Sequence, residues 1–300
     1  MPLPTLNTPP LEPPALRPDE FDSIRAMAHR VFGLDLRPGK EALVSARLSK
    51  RIRELGLSGI GKYLEAVQAD RTGAELALLI DALTTNFTSF LREPQHFEFL
   101  ASTVLPALAA RPSFHIWSAG CATGEEPYSI LFHTADTRGG QPVPAMRLTA
   151  TDISTRALES ASAGIYPEQR LREMPASWPK RYFLRGAGAS QGYIRVRPEW
   201  RKHITFLRLN LMEDFSHLPL CSVIFCRNVM IYFDKPTQEN LVRRFAERLE
   251  PGGWLFIGHS EGLLGTRHGL EPVQPAIYRK PAGARRPETR QPNSPAWRRP

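Results

Sequence analysis

FHIWSAGCATGEEPYSI, residues 114 to 130, runs from an apolar segment through small residues into an acidic helix start. Residues 114–118 read as a buried strand. Gly120, Ala122 and Gly124 let the chain turn sharply and leave room for a ligand beside the backbone. The next helix opens with Glu125 and Glu126, which suit the positive end of its dipole but repel phosphate. A phosphate-binding loop would carry Lys and Ser/Thr here, and a dinucleotide fingerprint would read GxGxxG; neither is present. A cationic, phosphate-free nucleoside fits this loop better, S-adenosylmethionine being the common one. The plain alternative is an ordinary strand-to-helix turn.

Downstream, strands alternate with helices, which implies a parallel sheet. Strands are expected at 114–118, 147–151, 204–207, 222–226 and 253–258, with a last one near 272–279. Helices fit 125–136, 154–163 and 236–249. Between Tyr182 and His203, short β-prone pieces flank a glycine-rich turn, so a small antiparallel module is expected at about 180–205. Upstream, 94–110 reads as a connecting helix. Residues 19–90 read as a helical bundle. Its first stripe is Phe21, Ile24, Met27, Val31 and Phe32, and its second is Leu43, Val44, Leu48, Ile52 and Leu55. Ser58 and Thr72 are candidate N-caps for two more helices, through Tyr63, Leu64 and Val67 and through Leu76, Leu79, Ile80 and Leu83. Residues 91–280 form the second domain. The proline-rich residues 1–18 and the Pro/Arg-rich residues 281–300 are expected to be disordered tails.

The 300 residues carry a net charge of +9 and 42% apolar residues, with a mean hydropathy of −0.30. No apolar run approaches the ~20 residues of a membrane span, and the N-terminus lacks the pattern of a signal peptide. A cytoplasmic protein without membrane insertion is expected. Cys121, Cys221 and Cys226 are an odd number without CxxC spacing, so neither a disulfide framework nor a zinc site is expected and the metal complement is none. The positive charge suits an acidic partner, either nucleic acid or a glutamate-rich protein surface. Arg47, Lys50, Arg51 and Arg53 lie opposite the apolar stripe of the second helix, as a solvated face or as a docking surface.

Four further stretches carry polar groups at telling places. In LTATDIS, 148–154, Asp152 ends the second strand, where an acid accepts hydrogen bonds from ribose hydroxyls; capping the next helix is its plainer role. In LNL, 209–211, the Asn210 amide suits an adenine edge. In VIFCRNVMIYF, 223–233, Arg227 and Asn228 stand at a strand's carboxyl end, where ligands bind in open sheets. In TTNFTSFLRE, 84–93, Asn86, Thr88 and Arg92 alternate with Phe87, Phe90 and Leu91, a pattern suited to a segment folded over a ligand.

These stretches, with WPKRYF at 178–183, LNLME at 209–213 and GHSEGL at 258–263, resemble the CheR family of chemoreceptor glutamate methyltransferases. The resemblance covers roughly residues 19 to 280. It implies a Rossmann-like S-adenosylmethionine methyltransferase domain with a small antiparallel β insertion, preceded by an all-α bundle. Members methylate glutamates on the cytoplasmic helices of chemoreceptors, releasing S-adenosylhomocysteine, in adaptation of chemotaxis-type signalling. Carried over, the cofactor residues are Asn86, Thr88, Arg92, Gly120, one or both of Glu125 and Glu126, Asp152, Asn210, Leu211, Asn228 and Val229. The basic helix matches Arg47, Lys50, Arg51 and Arg53. The loop RGAGASQG, with Gly186, Gly188 and Gly192, is similar to the longer form that holds a receptor's C-terminal pentapeptide tether. A monomer that binds no nucleic acid is implied.

Methyl transfer to a carboxylate needs no strong base, because a glutamate side chain ordinarily titrates near pH ~4.3 and is already ionised at neutral pH. Positioning carries the reaction. Arg92 and Tyr232 are the candidate catalytic residues, while His115, His133, His203 and His259 read as structural. Two rival readings stand. One is a methyltransferase on nucleic acid or another protein, against which the chain lacks an (N/D)PP(Y/F) motif. The other is a non-enzymatic cofactor-binding signalling domain.

Overall fold

The computed structural model describes residues 16–263 and 268–283. The expected disordered segments at 1–15 and 284–300 lie outside them. Residues 16–18, expected in the N-terminal tail, instead lead into the first helix: the Arg17 backbone N–H donates to Glu20 at 2.9 Å and Pro18 opens α1. The bundle comprises α1 (Pro18–Phe32), α2 (Glu41–Glu54), α3 (Ile60–Ala69) and α4 (Ala74–Leu83). Its core gathers Phe21, Ile24, Leu48, Ile52, Tyr63 and Leu79. Leu43 and Leu55, expected in the second stripe, are exposed, because the helical period turns them off the buried face. The expected caps also differ. Gly59 and Gly73 occupy the N-cap positions of α3 and α4. Asp70 serves α4 instead, its carboxylate accepting from the backbone N–H of Thr72 at 2.8 Å and of Glu75 at 2.7 Å.

The connecting helix is interrupted. α5 (Pro94–Phe99) passes through a π-turn at Leu100–Val104 into α6 (Leu105–Leu108), where Pro106 has no N–H to give the ladder. The second domain continues β1 (Phe114–Ala119), α7 (Glu125–Asp136), β2 (Met146–Asp152), α8 (Thr155–Ala163), β3 (Ile165–Pro167), α9 (Trp178–Tyr182), β4 (Phe183–Arg185), β5 (Tyr193–Val196), α10 (Pro198–Arg201), β6 (Ile204–Arg208), β7 (Cys221–Cys226), α11 (Lys235–Arg248), β8 (Leu249–Ile257), β9 (Glu271–Gln274) and β10 (Ile277–Arg279). The main sheet has the order β6-β2-β1-β7-β8-β10-β9. Its first five strands are parallel, and β10 and β9 close it antiparallel. The single expected strand near 272–279 is therefore a hairpin, turned at Ala276 with φ 63°.

All six residues of β1 are buried. Phe114 and Ile116 enter one core, while Trp117 and Ala119 enter the core on the opposite face. This is the strand period of two with both faces covered. The Trp117 indole N–H is satisfied by Thr151 at 2.9 Å. The small β module has the order β3-β5-β4. It starts earlier than the expected 180–205, because Ile165–Pro167 pairs with β5 across α9 and its flanking turns. All three cysteines are buried as free thiols.

Two of the four basic residues of α2 are internal ties. Arg51 grips Glu75 of α4 through two hydrogen bonds, at 2.9 and 2.6 Å. This partner holds the Glu75 carboxyl below its usual range. Arg47 donates to the Leu83 carbonyl at 2.6 Å and the Thr85 hydroxyl at 2.9 Å. Lys50 lies 3.7 Å from Glu54 on the exposed face, and Arg53 is exposed. Arg51→Ala is expected to destabilise the protein by about 1–3 kcal/mol through the half-buried Glu75 left behind, and Lys50→Ala by less than about 0.5 kcal/mol. Equal denaturant midpoints for the two variants would contradict this.

Candidate functional site

One crevice opens at the carboxyl ends of β1, β2, β6 and β7, where strand order reverses between β1 and β7, the place where open α/β sheets bind ligands. It encloses about 1010 Å³, part of it open to solvent. Asn86, Thr88, Arg92, Gly120, Glu126, Asp152, Asn210, Leu211, Asn228, Val229 and Tyr232 all line it. Phe32 and Leu34 from the bundle side complete the wall. Glu125 is not among the lining residues; it is buried and accepts from the Thr123 hydroxyl at 2.6 Å. Of the acidic pair, Glu126 is therefore the one that faces the crevice.

Backbone geometry explains how the sequence builds this floor. Gly120 has φ 84° and runs so close to Val229 that a Cβ there would meet Val229 Cγ2 at 2.4 Å. Ala122 holds φ 47°, and its N–H donates to Asp152 at 2.8 Å. The other Asp152 oxygen accepts from the Ser154 N–H at 2.9 Å. Asp152 thus braces the turn into α8 while lining the crevice, and the cap of α8 is Ser154, whose hydroxyl accepts from the Ala157 N–H at 3.0 Å. Leu91, Glu93 and Asn228 also have positive φ, at 51°, 57° and 58°. Each such non-glycine residue costs of order 1–3 kcal/mol and persists only where its surroundings hold it.

For Asn228 the holder is Glu261. This buried carboxylate accepts from the backbone N–H of Gly258 at 2.6 Å, Asn228 at 2.9 Å and Ile231 at 3.2 Å. Burial pushes its pKa up, and the three N–H groups pull against that. It therefore stitches the loop after β7 to the loop after β8. The motif GHSEGL offered the signal for it, but nothing in the sequence says which atoms it meets.

Arg227 is the second residue whose weight the sequence understated. Its guanidinium, 2% exposed, lies 3.2 Å from Glu93 and 3.3 Å from Glu126. It also donates to the Arg92 carbonyl. Glu126 is further held by the Ser118 hydroxyl at 2.7 Å. Burial raises the Glu126 pKa more than Arg227 and Ser118 lower it. Burial likewise raises that of Asp152, against the backbone N–H groups of Ser154 and Ala122. For Glu93, burial acts upward, but Arg227 and the His259 N–H outweigh it and leave the carboxyl below its usual range.

His96 is buried beside this group, stacked on His259 at 4.8 Å between ring centres. Burial, and then Arg227, push its pKa down to about 3. Glu93, His96 and His259 bring ligand-type atoms within 4.8 Å of one another, a cluster that the cysteine-based reading of the sequence did not find. Arg227 is the cation that this carboxylate holds.

Several of the expected site residues also make structural contacts. The Asn210 amide, expected to read adenine, donates to the Val31 carbonyl of α1 at 2.7 Å, and its oxygen accepts from the Met212 N–H at 3.0 Å. It ties bundle to sheet. Arg47 and Arg51, expected on an open docking face, are engaged as described above. Gly186, Gly188 and Gly192 sit on the β4–β5 hairpin, where the Gly186 N–H donates to the Tyr193 carbonyl at 2.8 Å. Tyr232 stands between the bundle core and the sheet core, and its carbonyl accepts from the Asp35 N–H at 2.8 Å.

Comparison with known proteins fits this geometry. The family described as CheR methyltransferase, SAM binding domain, matches residues 86–278, and that described as CheR methyltransferase, all-alpha domain, matches residues 19–84. The chain is similar to chemotaxis protein methyltransferase 2 of Pseudomonas aeruginosa, 41% identical over 87% of this chain and 92% of that protein. It is 42% identical to the chemotaxis protein methyltransferase of Salmonella typhimurium, over 83% of this chain and 85% of that one. Against the Escherichia coli counterpart the figures are 41%, 83% and 86%. With both family domains matched in order along the chain, this protein belongs to the CheR methyltransferase family and is an S-adenosylmethionine-dependent methyltransferase.

Proposed function

We propose that this enzyme methylates glutamate side chains on the cytoplasmic helices of chemoreceptors, forming glutamyl methyl esters and S-adenosylhomocysteine. The observation that carries the reading is the convergence of Asn86, Thr88, Arg92, Gly120, Glu126, Asp152, Leu211, Asn228, Val229 and Tyr232 on one crevice. The crevice suits a cationic nucleoside. Two buried carboxylates, Glu126 and Asp152, line it, and the Asn228 side-chain oxygen is buried there without a hydrogen-bond partner. Among the described residues, no helix is long and apolar enough to cross a membrane.

The bound cofactor supplies an electrophilic methyl group on a sulfonium. The chain's share is placement. Asp152 offers carboxylate lone pairs at the β2 end for the ribose. Glu126 offers negative charge at the start of α7. Arg92 and Tyr232 stand where an incoming carboxylate is to be oriented. Arg92 makes a single contact to the Phe87 carbonyl at 3.4 Å, so donors remain to steer a carboxylate without fixing both its oxygens. Opposite charges cancel as the ester forms, which exclusion of water favours. The receptor's acidic face meets Lys50 and Arg53, the outward pair on α2. The exposed Ile165, Leu184 and Tyr193 of the three-stranded module offer apolar contact for a receptor's C-terminal tether.

Incubation with tritiated cofactor and receptor-bearing membranes is expected to give base-labile label on the receptor; alkali-stable label would mean another acceptor. Arg92→Ala is expected to lower transfer by at least ~10²-fold, about 2.7 kcal/mol in barrier, with an unchanged melting temperature. Near-normal turnover would remove Arg92 from the mechanism.

Cofactor affinity is expected to depend on pH. The raised pKa values of Glu126 and Asp152 mean that protons compete with the ligand at a higher pH than for ordinary carboxylates. Affinity is present while these groups are ionised and falls as pH drops toward the usual carboxylate range, near pH ~4. Calorimetric titration should show this slope reduced in Asp152→Asn. An identical slope in that variant would clear Asp152 of ribose binding.

A further inference from the structure

The strap 84–93 joins α4 to α5 and lines the crevice with Thr84, Thr85, Asn86, Phe87, Thr88 and Arg92. It is held from several sides. Arg47 of α2 takes the Leu83 carbonyl and Thr85 hydroxyl. Arg170, just beyond β3, donates to the Thr88 carbonyl at 3.3 Å. Arg92 donates back to the Phe87 carbonyl. The Leu91 N–H donates to Ser129 at 3.0 Å. Phe90 anchors the strap in the core, edge-on to Tyr166 at 5.0 Å.

Between these fastenings, Phe87 is 71% exposed, more than any other large apolar residue among those described. A strap so restrained leaves this ring in water at the mouth of the crevice. The three arginines that fasten the strap share a second property. None forms an ion pair with a carboxylate among the described residues, whereas Arg51, Arg111, Arg181 and Arg227 each do. Each of the three spends donors on neutral oxygens of the strap or of Leu83 just before it; Arg92 lines the crevice, where its charge also acts on Glu126.

We propose that this strap is the acceptor-docking lip of the enzyme: Phe87 takes an apolar side chain of the substrate, and Arg170, with Arg92, receives its acidic residues. This inference rests on the reading of the crevice as a glutamate methylation site. The occupant is an acidic amphipathic helix. On such a helix the residues at i+3 and i+4 share the face of the acceptor glutamate. One apolar neighbour therefore lies on Phe87 while the acceptor enters between Arg92 and Tyr232. Arg170 reaches the strap from beyond β3, so the positive charge at the lip does not rest on Arg92 alone. Long-range steering of an acidic helix follows, weakened by salt.

The test measures methyl transfer to receptor-bearing membranes as receptor concentration varies, alongside calorimetric titration of S-adenosylhomocysteine. Phe87→Ala is expected to raise the receptor KM about tenfold, equivalent to about 1.4 kcal/mol, with product affinity within about twofold. Phe87→Leu should recover most of the loss. Arg170→Ala should raise the receptor KM and flatten its dependence on salt. An unchanged receptor KM in Phe87→Ala would overturn the inference. So would a parallel loss of S-adenosylhomocysteine affinity, which would make Phe87 a cover for the cofactor. If the unmodified enzyme placed no label on receptor, the functional reading itself would fall.

Discussion

The guanidinium of Arg227 is the interaction on which the active crevice depends. It sits at the end of β7, almost wholly out of water, and meets two carboxylates from different elements plus the Arg92 carbonyl. Glu126 belongs to the start of α7 and Glu93 to the end of the strap. One side chain thus ties the end of β7 to two segments that each lie more than a hundred positions away in the sequence. Removing one member of such a set strands the others as buried charge, which is costlier than the set itself is stabilising. The arrangement is better understood as a means of registering parts than as a source of stability.

Around this centre the backbone is held in conformations it would otherwise avoid. Leu91, Glu93, Ala122 and Asn228 all carry positive φ, and all flank the crevice. Their holders are polar: Asp152 for Ala122, Glu261 for Asn228 and Ser129 for Leu91. Acidic side chains that accept from backbone N–H groups do much of the shaping. Only part of the local negative charge is therefore free to face a ligand. Glu125 and Glu261 illustrate carboxylates used inward, whereas Glu126 and Asp152 do both jobs.

Much of this was legible in the residues. The apolar run of β1, the small-residue loop after it and the acid ending β2 each follow from strand period and turn chemistry, and they placed the crevice correctly. What escaped has a common physical cause. Side chains such as Asn210, Arg47 and Arg51 are chemically suited both to a ligand and to a neighbouring backbone or side chain, and the internal contacts they make depend on three-dimensional proximity that the sequence does not show. The i,i+4 pattern of α2 could not reveal that Glu75 lies within reach of Arg51, since that contact spans a turn and another helix. Glu261 was visible only as a letter in a motif, because its partners are backbone groups with no sequence signature. The β hairpin at the sheet's end was missed because one turn residue, Ala276, adopts a conformation its side chain does not advertise.

The bundle is joined to the sheet at the crevice itself. The Asn210 amide grips the end of α1, Leu34 forms an antiparallel bridge with Phe233, and Phe32 and Leu34 supply part of the wall. The cleft is thus a seam between two bodies. Whatever occupies a seam stabilises the closed arrangement in proportion to the logarithm of its concentration over its dissociation constant. A ligand that touches both walls of the seam therefore holds bundle and sheet together, so occupancy of the crevice and rigidity of the whole chain are linked quantities.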